Sequence, residues 1–208
     1  ALPFLPYPEP KILGGVDEVP GVLKEKGIES VLLVTDAGLR GAGITLPLEQ
    51  LLAENGIACA VYDGTCANPT SDNVEQAREL YIKNDCKALI AFGGGSSMDC
   101  AKAVGARIAY PKKPLGRLKG TLRVLRRIPL LIAVPTTAGT GSETTLAAVI
   151  TDSAAKHKYT MNDFTLIPRY AVLDPTVTYT LPPHLTATTG MDALTHAVEA
   201  YIGRSTSR

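Results

Sequence analysis

The sequence has little cysteine and no pairing pattern for what it has. Cys59, Cys66, Cys86 and Cys100 form no C-x-x-C pair and share no metal-ligand spacing with a histidine, which argues against a disulfide framework or a zinc finger and suits small buried thiols in a reducing cytoplasm. Neither sign of charge is in excess. With 21 Lys+Arg against 20 Asp+Glu and a net charge of +1, no bulk field would hold the chain on nucleic acid or a membrane surface. No run of about 18 apolar residues occurs, and the opening ALPFLPYPEPK has neither a basic n-region nor a long apolar stretch, so neither a secretory signal nor a membrane span is expected. The first βα turn lacks G-x-G-x-x-G and no serine sits in G-x-S-x-G. The standard Rossmann fingerprint is therefore missing, and serine hydrolase chemistry is unsupported. What is present is 45% hydrophobic and 20% charged with a mean hydropathy of +0.10. That composition describes an ordinary globular chain, one large domain or one plus part of another.

Apolar runs of strand length alternate with segments of helical period, the form of repeated βαβ units around a mostly parallel buried sheet. Strands are expected at 31–35, 57–62, 88–92 and 130–134, with extended chain at 149–159 and 170–174. Leu46, Leu48, Leu51 and Leu52 mark one helix face, and Val74, Ala77, Leu80 and Tyr81 another. A third helix should run from GGGSSMD through Ile108. From Thr186 the pattern becomes one long helix with Ala187, Met191, Leu194, Val198 and Tyr201 in a stripe, which needs something to pack on. The expected architecture is thus α/β, a Rossmann-like mostly parallel sheet with flanking helices over 1–181, followed over 182–208 by the first helix of an all-helical second domain.

Gly93-Gly94-Gly95-Ser96-Ser97-Met98-Asp99 lies where a buried strand turns into a helix. Glycines there let backbone N–H groups approach a diphosphate, and the helix N-terminus favours an anion. A plainer reading makes Ser96 and Asp99 an S-x-x-D capping box. Asp36 follows the first of these strands, at the carboxyl edge where open α/β sheets bind ligands. There it either accepts from a ribose hydroxyl and repels a 2′-phosphate, or starts a turn. In PTTAGTGSE, residues 135–143, the hydroxyls of Thr136, Thr137, Thr140 and Ser142 converge with freely placed amides, suiting a nucleotide or an ordinary set of ST-turns. Asp192 and His196, spaced i, i+4, place a carboxylate and an imidazole on one helix face, either as an ion pair or as two ligands to a divalent metal. Residues 112–127 carry seven basic and no acidic side chains, with Leu115, Leu118, Leu122 and Leu125 at helical spacing. They read as an amphipathic connection packing its leucines on the body, or as an anion-binding patch.

Taken in order, VTDAGL, GGGSSMD, PTTAGTGSE and AVLDPTVTYTLPPHLTATTGMDALTHAVEAY resemble the iron-dependent, group III alcohol dehydrogenases over essentially the whole chain. The resemblance implies an α/β domain for NAD(H) and a helical domain, with metal and substrate in the cleft between them. It assigns Asp36 to the adenosine ribose, Gly94, Gly95, Ser96, Ser97 and Asp99 to the diphosphate loop, and Thr136, Thr137, Thr140 and Ser142 to the nucleotide. Asn68 matches the asparagine of an NPT turn, and Lys158 the lysine near the nicotinamide ribose. Asp192 and His196 match the first two of four ligands to Fe²⁺, with Zn²⁺ or Mn²⁺ as alternatives. A small alcohol or aldehyde substrate and a homodimer are implied, with this chain as the cofactor-binding half. Two further readings are a glycerol dehydrogenase-like enzyme of the same architecture and a stand-alone nucleotide-binding module. Ala67 stands where relatives often carry proline.

Overall fold

The computed structural model describes residues 7–203; the start of ALPFLPYPEPK, read above as carrying no leader, lies outside the described residues. Six parallel strands form the main sheet: Lys11–Leu13 (β1), Ser30–Val34 (β2), Ala58–Tyr62 (β3), Ala88–Gly93 (β4), Leu130–Pro135 (β6) and Tyr170–Val172 (β9), in the order β1-β9-β6-β4-β2-β3. A short strand Gly120–Thr121 (β5) joins Ala147–Thr151 (β7) and Lys158–Asn162 (β8) in a smaller sheet, β5-β8-β7.

Both faces of the main sheet are covered, which is why its strands read as continuous apolar runs rather than as alternations. Successive β4 side chains go to opposite sides. Leu89 and Ala91 join the core beneath the helices Ser71–Lys83 (α4) and Gly95–Ala109 (α5), while Ala88, Ile90 and Phe92 join the one beneath Val19–Glu25 (α1) and Leu46–Glu54 (α3). Leu48 and Leu52 of α3 are fully buried, each worth about 1.5–3 kcal/mol relative to exposure. Helix α4 starts with a reciprocal capping box, Thr70 accepting from the Asn73 amide while the Asn73 side chain accepts from the Thr70 N–H. From β2 the chain moves to β3 on one side, and from β4 it moves to β6 on the other. The order therefore reverses between β2 and β4, opening a crevice at their carboxyl ends.

Three sequence expectations are corrected. The extended stretch 149–159 is a hairpin, β7 pairing antiparallel with β8 around residues 152–157, because Asp152 Oδ1 accepts from the Ala154 and Ala155 amides and turns the chain. The helical spacing in 112–127 does not produce a helix. A three-residue turn at Leu115–Arg117 buries Leu115, and Leu118 follows it, but Leu122 and Leu125 sit at positive φ with exposed side chains. Finally, Ser96 and Asp99 form no capping box; the cap of α5 is Gly94 and no side chain bonds it.

The last helix, Pro183–Ile202 (α6), begins three residues before the expected Thr186. None of its residues is buried, and Met191, Leu194, Val198 and Tyr201 are exposed. It approaches the PTTAGTGSE loop at Gly139, where a Cβ would stand 2.6 Å from the Thr189 carbonyl oxygen. Among the described residues no helix is long and apolar enough to cross a membrane.

Candidate functional site

The crevice between β2 and β4 opens into a cleft of about 720 Å³ whose lining includes Asp36, Cys66, Gly94–Ser97, Thr136, Thr137 and Thr140. Its floor is a glycine cradle. Gly93 ends β4 at φ 148°, and a Cβ there would stand 2.5 Å from Ser97 Oγ. A Cβ on Gly95 would be 3.1 Å from Thr140. The first-turn amides of α5 thus face the cleft with neither a Cβ nor a capping side chain over them. Orphan donors at the positive end of a 15-residue helix suit an anion of diphosphate type.

Asp36 stands across the cleft, where it starts the next turn. Its Oδ1 accepts from the amides of Gly38 (2.9 Å) and Leu39 (3.0 Å), capping the helix Ala37–Gly41 (α2). Both bonds fall on one oxygen. The other accepts no hydrogen bond from the described residues.

Asn68 and Lys158 reach the same place at one remove. The Asn68 N–H donates to Ser96 Oγ (3.3 Å), and Lys158 Nζ donates to Asn68 Oδ1 (2.7 Å). Asn68 holds φ 58°, a conformation asparagine tolerates better than most residues. That turn brings a cation from the β7–β8 hairpin to the edge of the cradle.

Asp99 and Ser142 do not line the cleft; they tie its roof down from behind. Ser142 Oγ donates to Asp99 Oδ1 (3.0 Å), and Asp99 Oδ2 accepts from the Val149 amide (3.0 Å). The residue missed from the sequence is Lys102, fully buried on the same helix. Its Nζ donates toward the Ser142 carbonyl (2.7 Å) and Oγ (3.1 Å), the Thr145 carbonyl (2.9 Å) and Oγ1 (3.1 Å), and the Ala147 carbonyl (2.9 Å). Burial pushes the Lys102 ammonium down to about 8, opposed by the Asp99 and Glu143 carboxylates. Burial likewise raises Asp99, opposed by the Val149 amide, Lys102 and Ser142. One signal could have exposed this network: Lys102 is a lone charge in the otherwise apolar stripe Met98, Ala101, Val104, a pattern that requires partners inside the fold.

Asp192 and His196 lie together on α6, His196 Nε2 being 3.6 Å from Asp192 Oδ1, with side chains 60% and 44% exposed for His196 and Asp192. Among the described residues no group of three or more His, Cys, Asp or Glu could hold a metal ion. The pair offers two donors to an ion and does not complete a site.

An open α/β sheet with a glycine cradle and an opposed carboxylate at its switch point places the chain among the doubly wound α/β proteins, and comparison with known proteins gives the particular family. Residues 11–175 match the model of the iron-containing alcohol dehydrogenases. The chain belongs to that family, as its four motifs indicated. It is 41% identical over 177 residues to choline dehydrogenase of Bacillus subtilis, covering 84% of this chain and 44% of that protein. It is 39% identical over 191 residues to NAD-dependent methanol dehydrogenase of Bacillus methanolicus, covering 92% and 50%. The crystal structure of a 1,3-propanediol oxidoreductase superposes with a TM-score of 0.92 at 35% identity, covering 97% of this chain and 53% of that one. The chain thus spans about half the length of the curated relatives it matches.

Proposed function

We propose that this chain forms the nucleotide-binding half of an NAD(H)- and divalent-metal-dependent alcohol dehydrogenase or aldehyde reductase, with residues 1–181 as the dinucleotide domain and 182–208 as the start of a helical metal and substrate domain. The observation that carries the reading is the uncapped N-terminus of α5, whose cradle glycines leave room for a diphosphate and none for a side chain. A dinucleotide fits these residues. The α5 amides and Ser96 hold the diphosphate, and the free oxygen of Asp36 accepts from the adenosine ribose and repels a 2′-phosphate. Thr136, Thr137 and Thr140 line the nucleotide from the roof, and Lys158, steered by Asn68, serves the nicotinamide ribose.

When bound, the nicotinamide exchanges a hydride with substrate and a divalent cation, Fe²⁺ or in its place Zn²⁺ or Mn²⁺, polarises the alcohol or aldehyde oxygen. Asp192 and His196 supply a carboxylate and an imidazole toward that cation. Two exposed donors hold it weakly, so these 208 residues bind dinucleotide and turn over little. The four free thiols favour a cytoplasmic setting, and the apolar stripe on α6 favours association as a homodimer.

A titration followed by nicotinamide fluorescence tests the reading. Saturable NADH binding is expected, weaker for NADPH and indifferent to added Fe²⁺ or Zn²⁺, and Gly95→Val should weaken it by about 1–3 kcal/mol through overpacking against Thr140. Absence of NADH binding by a chain that unfolds cooperatively would overturn it.

A further inference from the structure

A second cleft, of about 660 Å³, lies at the amino ends of the strands, the opposite end of the sheet from the dinucleotide cleft. Lys11, Lys26, Lys87, Arg127 and Arg169 line it, with Glu9 as its acid. A chain of nearly balanced charge therefore gathers five cations around one cavity. Lys26 and Lys87 have carboxylates nearby, Glu25 at 3.5 Å and Asp85 at 2.5 Å. Lys11, Arg127 and Arg169 have no carboxylate within salt-bridge distance among the described residues.

The walls are built rather than incidental. Asp163, 2% exposed, accepts through Oδ2 from the Val124 and Leu125 amides (3.1 Å each) and through Oδ1 from the Thr165 amide and hydroxyl (3.1 and 3.0 Å). One buried carboxylate thus fixes both sides, the strand-entry loop bearing Leu125 and Arg127 and the turn bearing Phe164 and Thr165. It holds Leu125 at φ 50°, a strained conformation for leucine that needs surrounding structure to persist. Between the cations the surface is apolar, with Ile128, Ile167 and Tyr170 buried and Phe164 half-buried at its edge.

We propose that this cleft binds a phosphate-bearing metabolite of nucleotide size, its phosphates between Arg127, Arg169 and Lys11 and its apolar or aromatic body against Phe164 and Ile128. Guanidinium forks match phosphate oxygens in pairs, which favours phosphate over a single carboxylate. The cavity volume is that of a small-molecule site. Nothing in the dinucleotide chemistry uses these side chains.

Calorimetric titration of ATP and of tripolyphosphate into the full chain, with NADH in saturating excess to fill the dinucleotide cleft, tests the site. The expected result is a 1:1 ATP complex weakened roughly tenfold or more in Arg127→Glu/Arg169→Glu, weakened again by added salt, and unchanged in Gly95→Val. Tripolyphosphate should bind more weakly than ATP. Both arginines are exposed, so the double variant should keep the wild-type melting transition and NADH affinity. Should it fail to fold, Lys11→Glu provides the same readout from the other wall. No ATP binding beside saturating NADH, or ATP binding undiminished in the charge reversals, would overturn the proposal, whereas failure of NADH itself to bind would count against the dinucleotide reading alone.

Discussion

Two acid–base constellations, each set on one helix, meet opposite environments in this molecule. On α5, Asp99 and Lys102 are joined through Ser142; Lys102 is buried and surrounded by more acceptors than it has protons. On α6, Asp192 and His196 stand 3.6 Å apart in solvent, with no further metal-ligating side chain grouped with them among the described residues. The spacing along the helix is nearly the same. Burial and partner number divide them: the inner pair is committed to holding the roof of the cleft, and the outer pair faces solvent with only its own contact.

The sharpest way to break this contrast is Lys102→Met. Removing one member of a buried charged network leaves the carbonyls of Ser142, Thr145 and Ala147 without their donor and the Asp99 carboxylate without its neighbouring positive charge, and a loss of about 3–5 kcal/mol is expected in urea unfolding. A loss under about 1 kcal/mol would put Lys102 on a par with the outer pair.

Alkaline pH should give the next effect. Burial raises Cys59 and Cys100 from 9.0 to about 12, Cys86 from 9.0 to about 11, and Tyr62 and Tyr159 from 10.0 to about 12. The fold keeps these protons where the unfolded chain sheds them, so their stability is full below about pH 9 and is lost as pH climbs toward 12. Lys102 runs the other way. Lowered from 10.5 to about 8, it sheds its proton earlier in the fold and adds stability between those values. The five raised groups outnumber it, so the melting temperature should fall above about pH 9, and more steeply in Lys102→Met.

Asp36→Ser separates a cap from a charge. Serine caps as well as aspartate, so stability should change by only a few tenths of a kcal/mol, whereas the preference for NADH over NADPH should shrink about tenfold with the carboxylate gone. An unchanged preference measured by paired titrations would leave Asp36 as a cap alone. The smallest effect belongs to His196→Ala, expected within about 0.5 kcal/mol of wild type because the side chain is exposed. A large destabilisation would mean that the outer pair is structural after all.

Much of the fold could be read from residue pattern because a parallel sheet covered on both faces writes itself as apolar runs, and ALIAF or LLIAV admits few other fates. The cradle was equally legible, since three glycines at a strand-to-helix turn have a backbone reason to be there. The hairpin of β7 and β8 was not, because its turn depends on Asp152 bonding locally rather than on a break in hydropathy. Nor was the fate of Leu122 and Leu125. Their helical spacing was overridden from about 40 residues away, Asp163 capturing the Val124 and Leu125 amides and the Asn162 carbonyl the Leu122 amide. Asp99 and Ser142 were found for their motifs, but their direction, away from the cleft, is set by Lys102 and the Val149 amide, contacts that no local window contains.

Because the roof of the cleft hangs on α5 through Lys102, Ser142 and Asp99, the two segments form one transplantable unit. A chimera that exchanges residues 135–149 with those of a relative must carry residues 95–109 with them, or the grafted loop arrives without its anchor. Of the cleft-facing threonines only Thr140 touches that anchor, its Oγ1 accepting from the Ser142 amide (3.3 Å), so Thr136 and Thr137 can be recut to reshape the cleft while the scaffold beneath them stays in place.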